Sequence, residues 1–93
     1  MQTSLNELRI NLYRAAQEHH RTGALYYAAL ERSSKELQKI ATDEYKDSAG
    51  VYFGVLSVCE QHLLSIEKDE EMQQELKRIQ TLKHSVETVL KYL

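Results

Sequence analysis

Proline and tryptophan are missing from this 93-residue chain, glycine occurs three times and cysteine once. Each scarcity excludes something. Without proline, nothing in the chain removes a backbone donor or breaks a helical ladder. With one cysteine, Cys59, no intrachain disulfide can form. Twelve basic against fourteen acidic side chains leave a formal charge of −2, too little field of either sign to gather nucleic acid or anionic lipid. A long apolar run is also lacking: the least polar stretch is interrupted by Glu60, Gln61 and His62, short of the roughly twenty apolar residues that a membrane span needs. No basic segment followed by an apolar run and a cleavage site stands at the start. The expected address is therefore the cytoplasm, with neither nucleic acid nor membrane as partner.

What remains is rich in Leu, Ala, Glu, Gln and Lys, all strong helix formers, and the expected fold class is all-α in a single domain. The least charged segment, Ser48 to Ile66 (SAGVYFGVLSVCEQHLLSI), reads as a central helix sheathed by neighbours, because the segments around it are dense in charge. Leu56 and Leu63 are its expected core residues. The pattern divides into four helices at about 4–20, 24–41, 48–66 and 69–92, forming a compact antiparallel bundle or two stacked hairpins. Ser4 and Glu7 have capping-box spacing at the first start. Gly23, after Arg21 and Thr22, reads as the left-handed residue closing the first helix, with His19 and His20 against its last carbonyls. Asp47 or Ser48 is the candidate cap of the third helix, and Asp69 lies near the start of the fourth. That last helix carries a heptad series, Met72, Leu76, Ile79, Lys83, Val86, Leu90 and Leu93, with Lys83 as its one break.

Two segments align without a gap at an offset of twenty-six residues, Ala24–Ile40 (ALYYAALERSSKELQKI) and Gly50–Ile66 (GVYFGVLSVCEQHLLSI). Duplication and coincident amphipathic patterning both account for this echo. From Ala16 through Gly23 to Tyr26, Ala29 and Leu30, the order small residue, turn glycine, Tyr-x-x-Ala-Leu resembles the first two helices of tetratricopeptide and MIT (microtubule interacting and transport) domains. That resemblance implies a helical hairpin, over about residues 16–40, whose groove takes up a helix or peptide from a partner.

Chemistry-bearing constellations are sparse. Cys59 and His62 stand at i and i+3, half of a zinc site in spacing, but a second cysteine is lacking and the expectation is a buried thiol without metal. Arg14 and His19 form an R-x4-H string that resembles the motif of HEPN-type ribonucleases, small helical proteins often found as toxin partners. On that resemblance the arginine would bind phosphate and the histidine move a proton. No glycine-rich phosphate loop or nucleophile triad accompanies it, and no cofactor is expected. The six tyrosines are many for so short a chain, and tyrosine serves buried edges and interfaces alike. Tyr13, Tyr27 and Tyr45 are candidate partner contacts, with Leu82 and Val89, which widen the apolar stripe of the last helix.

The expected function is a small non-enzymatic adaptor, chaperone or regulator holding a partner helix or peptide in an interhelical groove, as a homodimer or an obligate hetero-complex. A ribonuclease using Arg14 and His19, or a stand-alone immunity or antitoxin protein, is the alternative.

Overall fold

The computed structural model describes residues 4–93. The described residues form three helices, α1 (Leu5–Arg32), α2 (Lys35–Leu64) and α3 (Glu70–Tyr92), and the expected four-helix bundle is corrected to this count. The error has two sites. Thr22 and Gly23 lie inside α1, and the polar stretch Thr42–Asp47 lies inside α2. The hairpin turns instead at Ser33–Ser34, where the sequence reading placed the middle of a helix. Ser33 ends α1 in an extended conformation with its N–H on the Ala29 carbonyl, and Ser34, also extended, caps α2 by accepting the Leu37 N–H at 3.3 Å. Two serines in succession supply a stop and a start within two residues.

Gly23 has no left-handed backbone. Its role is close approach: a Cβ there would sit 3.0 Å from Cε1 of Tyr45. The helix therefore accepts a glycine in its interior, at about 1 kcal/mol against alanine, so that the Tyr45 ring can lie on α1. Ser48 does not cap a helix either. Buried in mid-α2, it donates to the Tyr45 carbonyl at 2.9 Å and meets the buried Thr22 hydroxyl across the interface at 2.6 Å. The two echo segments are not equivalent in structure, since the Ser33–Ser34 break aligns with Cys59–Glu60, which lie within the unbroken α2.

Buried positions on α1 recur every seven residues, Leu8, Ala15, Thr22 and Ala29. On α2 they follow steps of three and four through Ala41, Tyr45, Ser48, Tyr52, Leu56, Cys59 and Leu63, with Ala49 beside them. Such spacing makes the hairpin an antiparallel coiled-coil-like pair. α3 folds back along α2 after a short connection in which Lys68 donates to the carbonyls of Leu63 and Ile66 at 2.8 and 2.9 Å, satisfying the end of α2. Asp69 caps α3 by accepting the Met72 N–H at 2.8 Å.

At roughly 35 Å, α3 is shorter than α1 and α2, at roughly 42 and 45 Å. One core unites Leu8 and Ala15 of α1, Ala49, Tyr52, Leu56, Cys59 and Leu63 of α2, and Ile79 and Val86 of α3. Arg9 closes α1 onto α3 with two hydrogen bonds to Glu75, at 2.8 and 2.7 Å, a bidentate pair that holds the Glu75 carboxyl below its ordinary value. Lys83, the break in the α3 stripe, reaches Glu60 at 2.9 Å and lies 5.3 Å from the Phe53 ring. Beyond this body, residues 17–32 and 35–48 continue as a two-helix arm that carries exposed Leu25, Tyr27, Leu30, Leu37 and Ile40. The molecule is accordingly elongated, 50 × 24 × 17 Å, and the expectation of compactness is corrected with the helix count. No described helix is long and apolar enough to cross a membrane.

Leu56, at 0% exposure, fills the meeting point of the helices, so Leu56→Ala should cost about 2–5 kcal/mol. Leu37→Ala, on the exposed arm, should stay within about 0.5 kcal/mol of the parent. Urea unfolding of both variants checks the pair; equal losses would contradict the boundary between body and arm.

Candidate functional site

α2 has a second stripe, facing away from the core. Leu37, Ile40, Glu44, Asp47, Val51, Gly54, Val58 and Gln61 follow one another at alternating steps of three and four, and every one of them is exposed. This is the spacing of a coiled-coil seam, here without a partner over roughly 36 Å of helix. Phe53 and Glu60, which meet α3 through Lys83, stand two residues on from Val51 and Val58, about 200° round the helix. The outward seam therefore faces away from α3.

α1 borders this seam to make a shallow groove. One depression, of about 390 Å³, is lined by Leu8 and Asn11 of α1 with Val51, Gly54, Val55 and Val58 of α2. The next, of about 380 Å³, shares Val51 and continues over Ala15, Glu18, Arg21, Thr22, Glu44, Asp47 and Ser48. One end is thus apolar and small, the middle acidic. Val51 and Val58 are 62% and 54% exposed, so two aliphatic side chains in the least charged part of the chain face outward. Gly54 and Gly50, one turn apart on the same ridge, have open space where a Cβ would go, so a second helix can lie close against the backbone. The sequence pattern hides this seam because Val51, Gly54, Val58 and Gln61 fall in the stretch read as a sheathed helix, while Leu37, Ile40, Glu44 and Asp47 fall in the segments before it. The heptad spacing from Leu37 to Val58 was the signal that could have found it.

The residues expected to touch partners are scattered. Tyr27 and Tyr13 are exposed, and Tyr13 accepts from Gln17 at 2.8 Å. Tyr45 is corrected from contact residue to interior: it is buried, stacked on Tyr26 and His19 at centroid separations of 5.1 and 4.9 Å. Leu82 is exposed on α3, whereas Val89 is half-buried against the core. These five do not form one surface with the outward seam.

Arg14 and His19 part company as well. Arg14 is exposed while His19 turns inward to lie between Tyr45 and Tyr52, the latter at 5.4 Å. Five residues along a helix place two side chains about 140° apart, so the string does not converge on one substrate atom. His19 Nδ1 is buried with no hydrogen-bond partner among the described residues, and burial, then the neighbouring His20, hold its pKa below the ordinary 6.5. Cys59 Sγ is aimed at α1 and donates to the Leu8 carbonyl at 3.6 Å, with burial pushing the thiol up. Among the described residues no three His, Cys, Asp or Glu side chains are grouped to hold a metal ion. The chain matches no protein-family model, no curated protein and no solved structure.

Two expected outcomes follow from this geometry. Gly50→Ala and Gly54→Ala should each stabilise the protein by about 0.5–1 kcal/mol, because helix propensity is gained and nothing is met; a loss in thermal or urea unfolding would show that the ridge is occupied. His19 has its folded-state pKa lowered, so its neutral form is favoured by folding. Its contribution is present above about pH 6.5 and declines as pH falls through the folded value. The urea midpoint should drop between about pH 7 and 5, and His19→Phe should flatten that drop; an unchanged slope would remove the imidazole as its cause.

Proposed function

We propose that this protein is a small, non-enzymatic binding module that holds a helix from a partner protein in the groove between α1 and α2, on the face turned away from α3. The observation that carries this reading is the outward seam of α2, coiled-coil spacing with every member exposed. A helix laid there would be a third member of the arm and a fourth of the body, covering Val51, Gly54 and Val58, in the helix-in-groove mode of recognition. The long hairpin supplies rigidity, so the groove exists before the partner arrives and little ordering entropy opposes binding. His19, packed between two tyrosine rings and apart from Arg14, supports a structural part for that imidazole and gives the ribonuclease alternative no assembled centre.

The test is affinity purification from the source cell, with the recovered partner identified by mass spectrometry and then titrated as a purified protein. Val51→Asp and Val58→Asp should each weaken that complex about tenfold or more, since a carboxylate would be buried without a counter-charge, while melting stays within error because both sites are exposed. Leu82→Asp, on the outer side of α3, should leave binding intact. A complex that survives both seam variants and is lost with Leu82→Asp would move the site to α3.

A further inference from the structure

The outward seam of α2 is not uniformly apolar, and the exception defines its occupant. Leu37 and Ile40 stand at one end, Val51, Gly54 and Val58 towards the other, and the two positions between them are Glu44 and Asp47. Neither carboxylate has an ion-pair partner among the described residues. The α1 rim beside them offers Glu18 and Arg21, and that arginine is already hydrogen-bonded to Glu18 through both Nε and Nη2. Arg14 is exposed and lines neither depression. The centre of the groove thus holds three carboxylates against one engaged guanidinium.

A helix docked along the whole seam would take water from Glu44 and Asp47. Burying two unpaired carboxylates costs several kcal/mol, so a purely apolar helix is a poor occupant. A second copy of this chain is no better. Its own seam contains no basic residue, and antiparallel pairing of two α2 seams sets Glu44 and Asp47 either against each other or against uncharged seam positions. Parallel pairing places each carboxylate on its own copy.

Resting on the binding reading above, we propose that the occupant is a helix of a different protein whose apolar seam is interrupted at its middle by two basic residues, three or four positions apart, that meet Glu44 and Asp47. The flanking apolar positions pack on Leu37 and Ile40 at one end and on Val51 and Val58 at the other, with small side chains over Gly54. Affinity comes from the apolar ends, and the central charges set register and partner choice, as polar seam positions do in coiled coils.

Designed helical peptides of about 28 residues, on the order of 40 Å long, serve as probes: Leu/Ala seams with a central Lys-Lys or Glu-Glu pair, fluorescein-labelled and titrated by anisotropy. The full chain should bind the Lys-Lys peptide at least about tenfold more tightly than the Glu-Glu peptide, with the gap narrowing as salt is raised. The exposed double variant Glu44→Lys, Asp47→Lys should reverse that order. Equal binding of the two peptides, with both lost in Val58→Asp, would leave the groove reading standing and overturn the charge inference. No binding of either peptide would overturn both. A stable dimer in sedimentation equilibrium that Val58→Asp dissociates would make a second copy the occupant, and the proposal would fail.

Discussion

The close approach of α1 and α2 is the constraint on which everything else in the molecule depends. Along the hairpin the two helices meet through Ala15, Thr22, Gly23 and Ala29 on one side and Ala41, Ser48 and Ala49 on the other. Small side chains permit backbones to run near one another over a long distance, and seven-residue spacing keeps the same faces together. The Thr22–Ser48 hydroxyl contact at 2.6 Å fixes the register, since sliding either helix would strand a buried hydroxyl. Gly23 beneath the Tyr45 ring adds a steric key at the same level.

From that hairpin the rest follows by coverage. The lower half of α2 is too apolar to be served by α1 alone, and α3 covers a second side with Ile79 and Val86 on Leu56, Cys59 and Leu63. Because α3 is short and pairs with one half of the hairpin, it leaves both the arm and the outward side of α2 open. The body takes little of its stability from surface ion pairs, which contribute about 0–1 kcal/mol each. Arg9–Glu75 and Lys83–Glu60 instead orient α3 at two heights along the body. The Lys83 pair also explains the interruption in the α3 heptad: the ammonium has an acidic neighbour and an aromatic face in reach.

The open side combines an exposed apolar seam with two exposed carboxylates, Glu44 and Asp47. Both sit on the most helix-persistent element of the protein. A surface on a rigid 30-residue helix holds its seam positions at fixed spacing, and this distinguishes it from the exposed tyrosines, Tyr27 on the arm, Tyr13 on the body part of α1 and Tyr92 at the end of α3.

Sequence by itself determined the secondary-structure class, the centrality of the 48–66 segment, the Ser4 and Asp69 helix starts and the burial of Leu56, Leu63 and Cys59. Those properties follow from local propensity, capping chemistry and charge depletion, all of which are written within a few neighbouring residues. Tertiary structure alone decided where the chain turns. Gly23 is compatible with a helix end and with a helix interior, and only the Tyr45 ring lying against it, twenty-two residues later in the chain, selects the interior. Ser33–Glu36 has the same capping spacing as Ser4–Glu7, yet Ser33 ends α1 and Ser34 caps α2, so local spacing alone does not place the turn. The outward seam was hidden for a related reason. A nearly uncharged helix reads as buried on all sides, and which of its faces stay bare depends on how many helices the rest of the chain can supply.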